Sequence, residues 1–144
     1  MTDNQPVIEI RAMRIADYDA VLSLWKVTEG VGLSKADERG AIERYLDRNP
    51  GMSFVALDGQ KVVGAVLAGH DGRRGLLHHL AVSPSYRRLG IGRALVDRCL
   101  LALKEEGIDK THLFVFQTNS SGREFWRQIG WYERPELVLM SRDV

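Results

Sequence analysis

The chain has 144 residues, with 20 Lys and Arg against 19 Asp and Glu, a formal net charge of +1, 44% apolar and 27% charged residues. That size suits one compact domain, residues 1–144, whose core needs neither disulfides nor a structural metal. The near-neutral balance excludes a global basic field for nucleic acid or an anionic membrane, and the single Cys99 excludes a disulfide framework or a cysteine-rich zinc site. No apolar run approaches the roughly 20 residues of a bilayer span. Met1 to Gln5 are polar and acidic rather than basic and then apolar, so no signal peptide is expected, and the protein is expected to be soluble and cytoplasmic.

Val7, Ile8 and Ile10, followed by Ala12 and Met13, predict a short first strand. Asp17 is placed to cap a helix carrying Val21, Leu22 and Trp25 on one face and ending at Gly30. A flexible link follows, from Gly30 to Leu33. Ser34 or Asp37 then opens a second helix with Ile42, Tyr45 and Leu46 as its stripe, stopped by Asn49-Pro50-Gly51. Ser53 to Leu57 and Lys61 to Ala68 flank Asp58-Gly59, a hairpin signal. A second turn, Asp71 to Gly75, leads into a strand from Leu76 to Val82, so these three strands form an antiparallel meander.

A helix from Gly90 to Glu106 buries Ile91, Leu95, Cys99 and Ala102, turns Arg93, Asp97 and Lys104 outward, and ends at Gly107. In that apolar stripe Cys99 reads as a small buried hydrophobe. Thr111 to Phe116 is the fifth strand, reached by a helical crossover and therefore parallel to its neighbour. Asn119 or Ser120 caps a helix running to Gly130, with Phe125, Trp126 and Ile129 apolar, and Leu137 to Met140 forms a last strand. The order β-α-α-β-β-β-α-β-α-β predicts an α/β or α+β layer fold on a mixed sheet.

The stretch Leu80 to Leu95 carries the chemistry. A strand ends at Val82, Pro84 breaks it, and a helix begins near Gly90. The first amides of that helix have no intrahelical partner and sit at the positive end of its dipole. Gly90 and Gly92 remove side chains that would hold a phosphate away, and Arg87, Arg88 and Arg93 add positive charge. The expected ligand is a diphosphate. A Walker A loop needs Lys-Ser/Thr where Arg93-Ala94 stand, and a dinucleotide fingerprint needs a small residue where Leu95 stands and an acid where Gln117 follows the next strand. Both rivals fail.

Arg87-x-x-Gly90-x-Gly92, preceded by Leu80-Ala81-Val82-x-Pro84, resembles the acetyl-CoA motif of the GNAT N-acetyltransferase superfamily. Asn119 to Trp131 resembles the second motif of that family in length and in most positions, and the Asp71 to Gly75 turn looks like that of its small bacterial single-domain members. The resemblance spans the chain. It implies a mostly antiparallel mixed sheet, splayed into a V beside the strand Leu76 to Val82 and flanked by about four helices, with acetyl-CoA as co-substrate. The backbone of Leu80, Ala81 and Val82 would bind the pantetheine arm. Amides of Arg87, Arg88, Leu89, Gly90, Ile91, Gly92 and Arg93 would hold the pyrophosphate, and Asn119 and Trp126 would line the thiol end.

The implied reaction is direct attack of a neutral primary amine on the thioester, which needs a base for the ammonium and benefits from a proton donor for the thiolate. The usual tyrosine donor is replaced by Trp126, whose indole cannot give up its proton near neutral pH, which leaves water or Tyr132. The usual strand carboxylate position holds Leu76. His78 lies on the same face by the period of two and is the candidate base, with His79 expected to point the other way. Thr28 to Arg48 would border the acceptor, with Glu29, Asp37 and Glu38 available to an ammonium group. No His pair shows metal-ligand spacing, so no metal is expected. The partners expected are acetyl-CoA and an amine, with a homodimer left open. The competing readings are a non-catalytic acyl-CoA-binding sensor or partner subunit, and a nucleotide-binding domain.

Overall fold

The structure, a computed structural model, describes residues 5–144. Met1 to Asn4, part of the segment from which the absence of a leader was argued, lie outside the described residues. Two compact units are defined, one ending at Phe114 and the other running Val115–Val144.

The first unit is a five-stranded sheet in sequence order: β1 (Ile8–Ala12), β2 (Phe54–Asp58), β3 (Lys61–His70), β4 (Gly75–Val82) and β5 (Thr111–Leu113). The first three pairings are antiparallel and β4–β5 is parallel, as the crossover implied. The β2–β3 hairpin closes on Asp58↔Lys61 around a left-handed Gly59. The helices α1 (Tyr18–Lys26) and α2 (Arg39–Arg48) cover one face, where Trp25, Val21 and Ile42 pack with Val55, Leu57, Ala65, Leu67 and Ala81. On the other face α3 (Ile91–Glu105) presses Ile91 and Leu95 onto Gly64. Their methyls lie 3.3 and 3.1 Å from where a Cβ would stand, so any larger residue there would displace the helix.

Local details depart from expectation for identifiable reasons. The first helix stops at Lys26 rather than Gly30, where the Thr28 hydroxyl donates to the Leu24 carbonyl at 2.7 Å and closes the last turn. Asp17 precedes that helix without capping it. Its carboxylate instead accepts the Arg14 amide and both terminal nitrogens of Arg11, each at 2.8 Å. Ser34 caps only a short 3-10 turn, Lys35–Asp37, before α2 begins at Arg39. Within α3, Leu103 rather than Ala102 fills the core. The fifth strand ends at Leu113, three residues short of the expected Phe116.

In the second unit, α4 (Ser120–Gln128) is capped by Asn119, whose Oδ1 accepts the Gly122 amide at 3.0 Å. Arg123 grips Glu133 through two bonds of 2.7 and 3.1 Å, and Arg127 adds a third at 3.2 Å, which ties the loop after α4 to that helix. Leu137 to Met140 do not form the expected strand. Their β-favouring sequence finds no ladder partner among the described residues, and these side chains stay exposed.

Candidate active site

The site is built on an irregularity in β4. Ala65 pairs with Ala81 and Leu67 with His78, so His79 and Leu80 together oppose the single residue Val66. This two-against-one count is a β-bulge, and His79 takes the left-handed backbone it needs, with φ of 56°. A non-glycine residue held there costs about 1–3 kcal/mol, so surrounding contacts must fix it. They do. The buried Trp25 indole donates to the His79 carbonyl at 3.0 Å, and its ring meets the imidazole edge-on at 5.1 Å.

The bulge overturns the expected facing of the two histidines. Strict alternation would place residues 78 and 81 on opposite faces of the sheet. The extra residue instead gives both the face of their partners Leu67 and Ala81's neighbour Ala65, which is the face covered by α1 and α2. His79 does not point away: its ring centroid lies 6.1 Å from that of His78. His78 stands edge-on to Tyr45 of α2 at 6.1 Å. Burial holds its imidazole below the ordinary value, the neighbouring His79 pushes the same way, and Asp37 opposes them. His78 is therefore kept neutral, packed as an aromatic ring. The Tyr45 hydroxyl is buried without a hydrogen-bond partner among the described residues, and burial pushes its titration far above the usual phenol range.

His79 has the more polar setting. Its Nε2 lies 2.8 Å from Asp37 Oδ1, and the side chains of the pair are only 17% and 10% exposed. The other carboxylate oxygen accepts the Ser34 amide at 3.0 Å, and the Asp37 carbonyl accepts the Tyr18 hydroxyl at 2.6 Å. Sequence reasoning named Asp37 as a candidate helix start and as an attractor for an ammonium group, not as a partner of a histidine. No local signal could link it to a histidine 42 positions away.

The parallel β4–β5 pairing covers Gly75 to Leu77 and stops just before the bulge. Leu80 and Val82 are half-buried, whereas the Ala81 side chain is core, so that residue can offer a ligand only its backbone. After β4, a 3-10 turn Pro84–Tyr86 is latched to the β2–β3 hairpin by the Tyr86 hydroxyl, which donates to Asp58 at 2.6 Å. The glycine segment follows. The backbone is left-handed at Arg88 (φ 64°) and again at Gly90 (φ 80°), which serves as the N-cap of α3. The Arg87 amide bonds to Pro84 and the Ala94 amide to Gly90, while the amides from Arg88 to Arg93 have no protein partner among the described residues. No acidic residue occupies the first turn of α3. Alternation of left-handed residues at a helix N-terminus makes a concave, donor-only surface suited to an anion.

The side chains around this surface divide by role. Arg87 turns back to the Val82 carbonyl at 3.2 Å and braces the loop, whereas Arg88 is exposed. Arg93 is exposed and reaches Asp97 at 4.0 Å, Ile91 is buried in the core, and Leu89 is 38% exposed. In the second unit, Asn119 uses its side chain to cap α4. Trp126 stacks edge-on with Phe125 and Trp131 at 5.2 and 5.1 Å, and Tyr132 is exposed.

A concave surface of unpartnered amides at the start of a helix, following a bulged strand, is the arrangement the fold offers to an anionic group. Residues 18–131 match the model of the Acetyltransferase (GNAT) family. An acetyltransferase of Pectobacterium atrosepticum is 37% identical over 136 residues, covering 93% of this chain and 90% of its own. One of Sodalis glossinidius is 34% identical, with 94% of each chain covered. Among solved structures, the Ard1 protein of Thermoplasma volcanium superposes with a TM-score of 0.75 at 21% identity, covering 85% of this chain and 81% of its own. The PaiA N-acetyltransferase of Thermoplasma acidophilum, solved with coenzyme A, gives 0.73 at 21% identity, covering 86% and 89%. The chain belongs to the GNAT acetyltransferase family and is an acyltransferase. No helix among the described residues is long and apolar enough to cross a membrane.

Proposed function

We propose that the protein moves an acetyl group from acetyl-CoA to a primary amine. The observation that carries this reading is the run of unpartnered amides from Arg88 to Arg93, wound left-handed at residues 88 and 90 and free of acidic neighbours in the first helical turn. Those groups fit the pyrophosphate of a CoA donor. The place of a Cβ on Gly90 is open space, so a ligand can approach its backbone directly. Coenzyme A bound to a protein of the same fold supports this donor.

The donor supplies an activated thioester, and this chain supplies placement and electrostatics. The cradle binds the diphosphate through main-chain donors. The backbone of Leu80, within the bulge, and of Val82, beyond it, would accompany the pantetheine arm. Trp126 packs as a rigid aromatic surface and cannot deliver a proton, so we assign protonation of the departing thiolate to water.

The test is release of free CoA from acetyl-CoA across a panel of small amines, amino acids, polyamines and peptides, with donor affinity measured in parallel by calorimetry. Turnover with at least one amine is expected. Tight binding of acetyl-CoA with no acceptor accelerating its turnover would overturn the reading in favour of a non-catalytic sensor.

A further inference from the structure

We propose that His79, oriented by Asp37, is the group that takes the proton from the substrate ammonium, through its Nδ1 atom. This rests on the amine-acetylating function proposed above. The geometry selects His79 over its neighbour. His78 stands against the Tyr45 ring and makes no side-chain hydrogen bond among the described residues, whereas His79 is held by a carboxylate at 2.8 Å, by the Trp25 bond to its carbonyl, and by a left-handed backbone that no alternating strand would adopt. An ionised carboxylate only accepts hydrogen bonds, so the imidazole Nε2 must carry the proton in this pair. The lone pair of the neutral ring then lies on Nδ1, which has no hydrogen-bond partner among the described residues.

Asp37 is a positioning residue. It is fixed independently by the Ser34 amide on its second oxygen and by the Tyr18 hydroxyl on its carbonyl, so it holds the ring in one tautomer without entering the reaction. The step balances simply. The N–H bond of the ammonium breaks as its proton passes to Nδ1, directly or through one water. The freed nitrogen lone pair forms a bond to the thioester carbonyl carbon, and the now positively charged adduct nitrogen loses its second proton to water. The C–S bond breaks, and the CoA thiolate leaves and is protonated from solvent, so that a neutral amide remains. The imidazolium, stabilised by Asp37, returns its proton to water. Other titratable and charged groups around this pair are His78 on β4, Tyr18 and Asp19 on α1, Glu38 and Arg39 at the start of α2 and, behind His78, Tyr45 on α2. The ring contributed by α1, Trp25, does not titrate.

Two variants test this. His79→Asn retains a residue tolerant of positive φ, so the bulge is preserved, and near-ultraviolet dichroism of Trp25 reports its integrity. Its kcat/KM for the amine should fall about 100-fold, the scale of a general base, with acetyl-CoA affinity unchanged.

In Asp37→Asn, the side-chain oxygen must stay with the Ser34 amide, which turns the NH2 group toward Nε2. The donor–acceptor sense of the pair then reverses. Long-range ¹H–¹⁵N spectra of the ligand-free protein should show His79 protonated on Nε2 in the parent and on Nδ1 in the variant, alongside a tenfold or greater loss of kcat. A parent ring protonated on Nδ1, or no tautomer change in the variant, overturns the Asp37 role. If the parent turns over amines and His79→Asn does so equally, the base assignment fails while the function stands. If the parent acetylates no amine, both fall together.

Discussion

Gly90 offers the sharpest test of the cradle, because its two reasons for being glycine can be separated. Its φ of 80° disfavours any residue with a Cβ, yet that Cβ would meet no atom within 4 Å. Gly90→Ala therefore carries backbone strain alone, about 1–2 kcal/mol, or a fall in melting temperature of roughly 3–8 °C. Gly90→Asn should be milder, since asparagine enters the left-handed region more readily. Both variants place a Cβ at the mouth of the free amides. Both should therefore weaken acetyl-CoA binding at least tenfold, about 1.4 kcal/mol, whatever their difference in stability. Scanning calorimetry and titration calorimetry on the two variants resolve the effects. Unchanged affinity in both would remove the phosphate site from this loop. A collapse of both folds would show that the space beside Gly90 is not open.

Other consequences concern the first unit. The Arg11–Asp17 pair holds the Asp17 carboxyl below its usual range, chiefly by hydrogen bonding from Arg11, so its contribution exists above the unfolded pKa and is lost as pH falls through the folded one. Asp17→Asn should cost about 1–3 kcal/mol in urea unfolding at pH 7, with the difference shrinking toward pH 3. Because burial depresses His78, the unfolded chain binds its proton first on acidification. Stability should therefore decline as pH falls through the ordinary imidazole value, and His78→Phe should flatten that slope between pH 7 and pH 5. Burial also pushes the Cys99 thiol up to about 12, so a disulfide reagent should modify it only at the rate of unfolding. Rapid labelling of the native protein would contradict its core position.

The elements that could be read from the chain are those governed by local rules. Glycine and proline punctuate the hairpins, apolar periodicity marks α3, and Asn119 caps α4, because each depends on residues only a few positions apart. The backbone course from Arg87 to Arg93, where we propose the cradle, was legible for the same reason, since its strand end, glycines and helix start lie within one short stretch. Leu137 to Met140 had strand composition, but a strand exists only where another strand offers unpaired amides, and composition cannot supply that neighbour. The histidines were misplaced by a similar gap. Alternation held along β4 until the register with β3 inserted one extra residue, and that register is set by packing between strands rather than by either strand alone. The sequence by itself thus determined the strand end, glycine loop and helix start at which we propose a phosphorylated donor is held. Only the tertiary structure decided that His79 turns toward α1 and meets Asp37, because a bulge and a contact across 42 positions are properties of the packed chain.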